Sequence, residues 1–228
     1  MGVRQGRAGN RAEAAGAARP SSATTTVETE SAPLPAYGAR FESALTFACS
    51  RHFGQERKGN GAPYITHPLA VAALVGEYGG DEDQAIAALL HDVLEDCGVT
   101  ETDVALRYGA RVARIVASCT DTTLRPKPPW PQRKQAFLAR LRGAPPDVKL
   151  VVAADKLHNA QAIVRDLRRA SVGDKVWSRF RAGREDVLWY YRAAVDALTD
   201  GWSHELCDEL RAVVAELGRW GGSPEGGS

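Results

Sequence analysis

The chain has 228 residues, 44% hydrophobic and 25% charged, which suits one large soluble domain or two small ones. Its 29 Lys and Arg against 28 Asp and Glu leave a formal net charge of +1. No global field therefore recruits nucleic acid or a membrane surface, and any preference for anions must come from a local pocket.

No apolar run reaches the roughly 20 residues that span a bilayer, and the N-terminus lacks the apolar centre of a secretory signal. The four cysteines, Cys49, Cys97, Cys119 and Cys207, are far apart and form no CxxC pair. Reduced cysteines of this kind act as small hydrophobes, and the expected compartment is a reducing cytoplasm. Residues 1–35 are rich in Ala, Gly, Arg, Ser and Thr and poor in large apolar side chains. Such a segment buries too little surface to offset its ordering entropy, so a disordered N-terminal tail is expected there. Its Arg-rich start also fits a transit peptide, but Gly and Pro interrupt any amphipathic helix. A second flexible tail is expected over 220–228, which leaves one domain over 36–219.

Between the tails the periodicity is helical throughout, without alternating strand patterns, and predicts an all-α domain. Phe41, Leu45, Ala48 and His52 mark a first helix that stops at Gly54. His67 and Pro68 open a second, which ends at Gly79 and Gly80. Asp81 is placed to cap a helix running through to Gly98, with Glu82 and Asp83 in its first turn. Thr100 and Asp103 have capping-box spacing ahead of a short helix closed by Gly109. Val112, Ile115, Val116 and Cys119 mark the next. Four prolines break the pattern over 122–131, and helix resumes from Gln132 to Leu141. Asp147 is the expected cap of a long apolar helix, and two further helices are expected around Glu185–Leu198 and Ser203–Leu217.

The costly stretch is Ala88–Cys97, ALLHDVLEDC. His91 and Asp92 sit among Leu89, Leu90, Val93 and Leu94, where a charge needs a partner or a metal. If the helix is continuous, His91 and Glu95 project from neighbouring turns, as do Asp92 and Asp96. Asp155 is equally anomalous inside the apolar run Leu150–Asn159. Together His67, His91, Asp92 and Asp155 offer two imidazoles and two carboxylates without a thiolate. That set suits manganese, iron(II), magnesium or zinc, and leaves coordination positions for water and substrate.

His67, His91–Asp92 and Asp155, in that order, resemble the metal motif of the HD-domain phosphohydrolases. The likeness extends to RK at 57–58, PYITHP at 63–68, ALLHDVLED at 88–96 and ADKLHN at 154–159. These blocks are similar to the hydrolase domain of the RelA/SpoT alarmone enzymes, and to its small stand-alone members in particular. The resemblance implies an HD-type helical bundle holding one divalent ion, most often manganese, on His67, His91, Asp92 and Asp155. It implies that Glu95 and Asp96 position or deprotonate the attacking water. It further implies that Arg57 and Lys58 embrace a guanine base, with Asn159 beside the sugar and pyrophosphate. The implied reaction is hydrolysis of the 3′-pyrophosphate of ppGpp or pppGpp to GDP or GTP. Family members commonly carry Arg, often followed by Thr, where this chain has Gln161 and Ala162.

Two other readings share these residues: the same centre acting on another phosphorylated nucleotide such as NADPH, and a regulatory module that binds nucleotide without turnover. The partner expected in each is a small nucleotide, not nucleic acid or a membrane, and self-association stays open. Of the remaining histidines, His52 and His158 are expected in local hydrogen bonds and His204 on the surface at a helix start. Arg133 and Lys134 read as a solvated helix face. Trp177, Phe180, Trp189, Tyr190 and Tyr191 read as core between the last helices.

Overall fold

The structure, a computed structural model, describes residues 37–59 and 61–220. The expected tails lie outside this range, except for Trp220 at its edge. Ten α-helices lie among the described residues: α1 (Ala39–Arg51), α2 (Thr66–Glu77), α3 (Glu82–Leu90), α4 (Val93–Asp96), α5 (Glu101–Tyr108), α6 (Ala110–Cys119), α7 (Trp130–Arg142), α8 (Pro146–Leu167), α9 (Gly183–Thr199) and α10 (Glu205–Arg219). A 3-10 segment, Gly173–Arg179, was not foreseen. The sole extended pairing among the described residues is an isolated antiparallel bridge between Glu56 and Pro63. No described helix is long and apolar enough to cross a membrane.

The caps explain where several helices begin. Asp81 accepts from the Gln84 backbone amide while the Gln84 side chain answers the Asp81 amide, a complete capping box for α3. Thr100 and Asp103 do the same for α5. At α8 the expected cap is corrected: Pro145 is the N-cap, and Asp147 lies in the first turn. Pro146 has no amide to satisfy at the first helical position, so the proline pair sets the start. Asp147 instead binds Arg111 and Arg114 of α6.

The largest departure is at the centre. The helix expected from Asp81 to Gly98 stops at Leu90, and His91 and Asp92 form a turn before the single turn of α4. Asp92, at φ −103° and ψ −4°, lies at the bridge between helical and extended backbone. His91 and Asp92 are therefore neighbours on a turn between two helices, while Asp92, as the N-cap of α4, keeps a helical relation to Asp96, whose amide donates to the Asp92 carbonyl at 2.9 Å.

α8 is the hub, buried along most of its length, and packs against α2, α3, α6, α9 and α10. Its buried face runs through Val148, Val151, Val152, Leu157, Ile163 and Val164, and α3 contributes Ile86, Leu89 and Leu90. A helix buried all round requires partners on all sides, and this fixes where Asp155 can point. Among the expected core aromatics, Trp177, Tyr190 and Tyr191 are buried and Phe180 packs partly buried against them, whereas Trp189 is 40% exposed.

Candidate active site

Four side chains converge from α2, the α3–α4 turn and α8. His67 Nε2 lies 3.1 Å from Asp155 Oδ1 and 3.9 Å from Asp92 Oδ2. His91 Nε2 lies 2.9 Å from Asp92 Oδ2 and 3.7 Å from Asp155 Oδ1. His67, His91 and Asp92 present ligand atoms close enough to share one ion. The two imidazoles are buried, at 2% and 3% exposure, while Asp92 keeps 25% of its side chain open. That opening is the side from which water or substrate can enter.

The hydrogen bonding of His91 tests whether these residues fit an ion. Its Nδ1 lies 2.7 Å from the Ala88 carbonyl oxygen, which can only accept, so Nδ1 carries the proton. Nε2 then faces the two carboxylates, 2.9 Å from Asp92 Oδ2 and 3.7 Å from Asp155 Oδ1, fully buried and without a well-aligned hydrogen bond. An orphaned buried nitrogen beside two carboxylates is costly unless something positive occupies the space between them. The donor set therefore fits a divalent ion.

Three residues that sequence reasoning did not place at the site surround the four. Tyr64 Oη donates to Asp92 Oδ2 at 2.5 Å, and burial followed by the Asp92 charge keeps this phenol protonated. Lys156 Nζ lies 2.6 Å from Asp155 Oδ2, above the Phe137 and Tyr190 rings. Burial disfavours that ammonium, but Asp155 more than compensates and raises its pKa well above the usual lysine value. His158 Nδ1 lies 2.8 Å from His67 Nδ1. Tyr64 and Lys156 stand inside the recognised blocks, so their sequence signal was position alone.

Arg57, Lys58 and Asn159 fall in two groups. Arg57 Nη2 donates to Asn159 Oδ1 at 2.8 Å, and Asn159 Nδ2 donates to Asp155 Oδ1 at 2.6 Å. Arg57 and Asn159 are thereby joined to the centre, whereas Lys58 is exposed on the loop. That loop is shaped by Arg57 N to Ala62 O and Tyr64 N to Gln55 O, both 2.8 Å. Gly59, at φ +103°, lets Arg179 pack so closely that a Cβ there would lie 2.4 Å from its Nε.

The acidic pair faces other partners. Glu95 Oε1 accepts from Lys127 Nζ at 2.6 Å, its carbonyl accepts from Arg125 Nη2 at 2.6 Å, and Asp96 Oδ2 accepts from Gln55 Nε2 at 3.1 Å. Gln161 donates to Glu209 of α10 at 3.0 Å, so this position is used in helix packing. The solvated face expected of Arg133 and Lys134 is corrected: both pair with Asp121, and all three side chains are at most 17% exposed. Arg133 also donates to the Pro128 carbonyl, which folds the proline segment back on α7. His52 bonds Gln55 Oε1, and His204 caps α10 through Nδ1.

Burial lowers the His91 pKa, but the Asp92 and Asp155 charges outweigh it and raise it to about 9 without an ion. The stability that its imidazolium contributes is fully present below the unfolded pKa of about 6.5 and lost as pH rises through about 9. An ion must displace that proton, so affinity is expected to rise about tenfold per pH unit toward 9 and then level off. A manganese titration at several pH values checks this, and a flat profile would remove His91 from the ligand set.

The chain belongs to the HD-domain family, whose profile matches residues 44–188. HD-domain hydrolases bind divalent metal, in keeping with the donor set above. The chain is 36% identical over 183 residues to the Mus musculus protein named guanosine-3′,5′-bis(diphosphate) 3′-pyrophosphohydrolase MESH1, and 38% identical to its Homo sapiens counterpart. Each alignment covers 79% of this chain and 96% of the relative. A solved structure described as a metazoan ortholog of SpoT that hydrolyses ppGpp superposes with a TM-score of 0.67 at 27% identity, over 80% of this chain and 98% of that one.

Proposed function

We propose that this chain is a metal-dependent 3′-pyrophosphohydrolase, which cleaves ppGpp or pppGpp to GDP or GTP and pyrophosphate. The single observation that carries the catalytic part is the buried Nε2 of His91, without a well-aligned hydrogen bond and set between the Asp92 and Asp155 carboxylates. The substrate part is supported by the names of relatives that match over nearly their whole length.

His67, His91, Asp92 and Asp155 would hold the ion; two nitrogens and two oxygens without sulfur suit manganese, iron(II), magnesium or zinc, and the family resemblance favours manganese among them. A divalent ion held there would supply Lewis acidity, which neutralises phosphoryl charge and makes water easier to deprotonate. Glu95 takes the proton of the attacking water, and Asp96 keeps that carboxylate company at the mouth of the site. Glu95 is bound to Lys127 in the free protein, so substrate phosphates that attract Lys127 also release Glu95 for this work. Tyr64 and Lys156 hold Asp92 and Asp155 in place, and Arg57 with Asn159 and Lys58 receives the nucleoside end. A carboxylate pair, Glu95 and Asp96, so soon after two of the candidate ligands in the chain favours turnover over mere binding.

The test is product release from ppGpp, pppGpp, NADPH and a plain nucleoside triphosphate with manganese present. Pyrophosphate from ppGpp, lost on chelation, is expected. Phosphate from NADPH alone would keep the centre and replace the substrate, and silence on all four with metal bound would refute the hydrolase reading.

A further inference from the structure

We infer that His158 is a positioning residue that fixes the tautomer of His67, and that metal affinity depends on it. The inference rests on the metal reading above. The two ligand imidazoles are oriented by different means. For His91 the backbone carbonyl of Ala88 holds the Nδ1 proton, a partner that no side-chain substitution removes. For His67 the corresponding partner is a side chain, the Nδ1 of His158 at 2.8 Å, with ring planes 22° apart.

The direction of that bond follows from what surrounds it. His67 Nε2 faces Asp155 and Asp92, and its lone pair must be free to bind an ion, so its proton resides on Nδ1. His158 Nδ1 is then the acceptor. Arg57 Nη1 approaches the same nitrogen at 3.5 Å, and a guanidinium can only donate. Two donors converging on one nitrogen leave it no role except acceptor. With His158 absent, the His67 proton is free to move to Nε2, the tautomer that cannot ligate, and the ring is free to turn.

Outer partners of ligand histidines are typically worth about 10–100-fold in metal affinity. Equilibrium dialysis of the full chain against manganese alone, without nucleotide, measures this directly. His158→Ala is expected to weaken binding by about 10–100-fold and to shift the midpoint of metal activation by the same factor. His158→Asn carries a carbonyl oxygen near the place of Nδ1 and is expected to recover most of the loss. A variant that melts earlier but binds manganese as the unaltered chain does would reduce His158 to a packing role and overturn the inference. So would equal losses in the Ala and Asn variants. Failure of the unaltered chain to bind manganese at all would overturn the metal reading, and this inference with it.

Discussion

Replacing Asp155 by Ala is expected to abolish manganese binding and to lower pyrophosphate release by more than about 10³-fold, because the ion's Lewis acidity contributes several kcal/mol to the transition state. The same substitution has a second effect. It leaves the Lys156 ammonium, 14% exposed and above two aromatic rings, without its counter-ion. Breaking a buried pair from one side costs about 3–5 kcal/mol, so the variant should also melt markedly earlier. The two effects are separable. Asp155→Ala combined with Lys156→Met removes both charges, and is expected to regain most of the stability while remaining inactive and metal-free. Thermal melts of the metal-free proteins beside manganese binding check both arms. A double variant that regained turnover would show that Asp155 is not a ligand.

Glu95→Gln is expected to lower pyrophosphate release by about 10²–10⁴-fold, the usual contribution of a general base. Manganese binding should be unchanged, since Glu95 contacts Lys127 and Arg125 and not the four ligands. A Gln at 95 retains a hydrogen bond to Lys127 and loses only the charge, so a change in fold is not the expected cause. Single-turnover measurements with Asp96→Asn alongside assign the roles. If the Gln variant keeps its rate and the Asn variant loses it, the base is Asp96, whose carboxylate is held by neutral Gln55 and not by a cation.

Much of this was legible in the chain. The capping boxes at Asp81 and Thr100 need only residues three apart, and the structure has both. The four candidate ligands were legible because charged groups in apolar runs demand a reason, and the structure brings all four within ion-pair distances. The break after Leu90 was not legible. Every residue from Ala85 to Leu90 is buried, so the apolar pattern continues without a phase change that could mark the bend. The outer partners were hidden for another reason. Tyr64 meets Asp92 across 28 residues and His67 meets His158 across 91, and no local spacing encodes contacts of that range. Arg133 and Lys134 read as solvated because Asp121, their partner, lies on the far side of a proline segment.

That proline segment has a bearing on the rate of turnover. Its start is pinned where Arg140 holds the Thr120 carbonyl and Asp121 is gripped by two cations, and its end is pinned where Arg133 holds the Pro128 carbonyl. Only the few residues between, which include Lys127, are left to deform. Partly exposed ion pairs such as Lys127–Glu95 are worth about 0–1 kcal/mol, and short-loop motions take nanoseconds to microseconds. Handing Lys127 from Glu95 to a phosphate would therefore be fast beside catalytic cycles of milliseconds or longer, and on the proposed mechanism the limit on speed would lie elsewhere, in chemistry or in the departure of products.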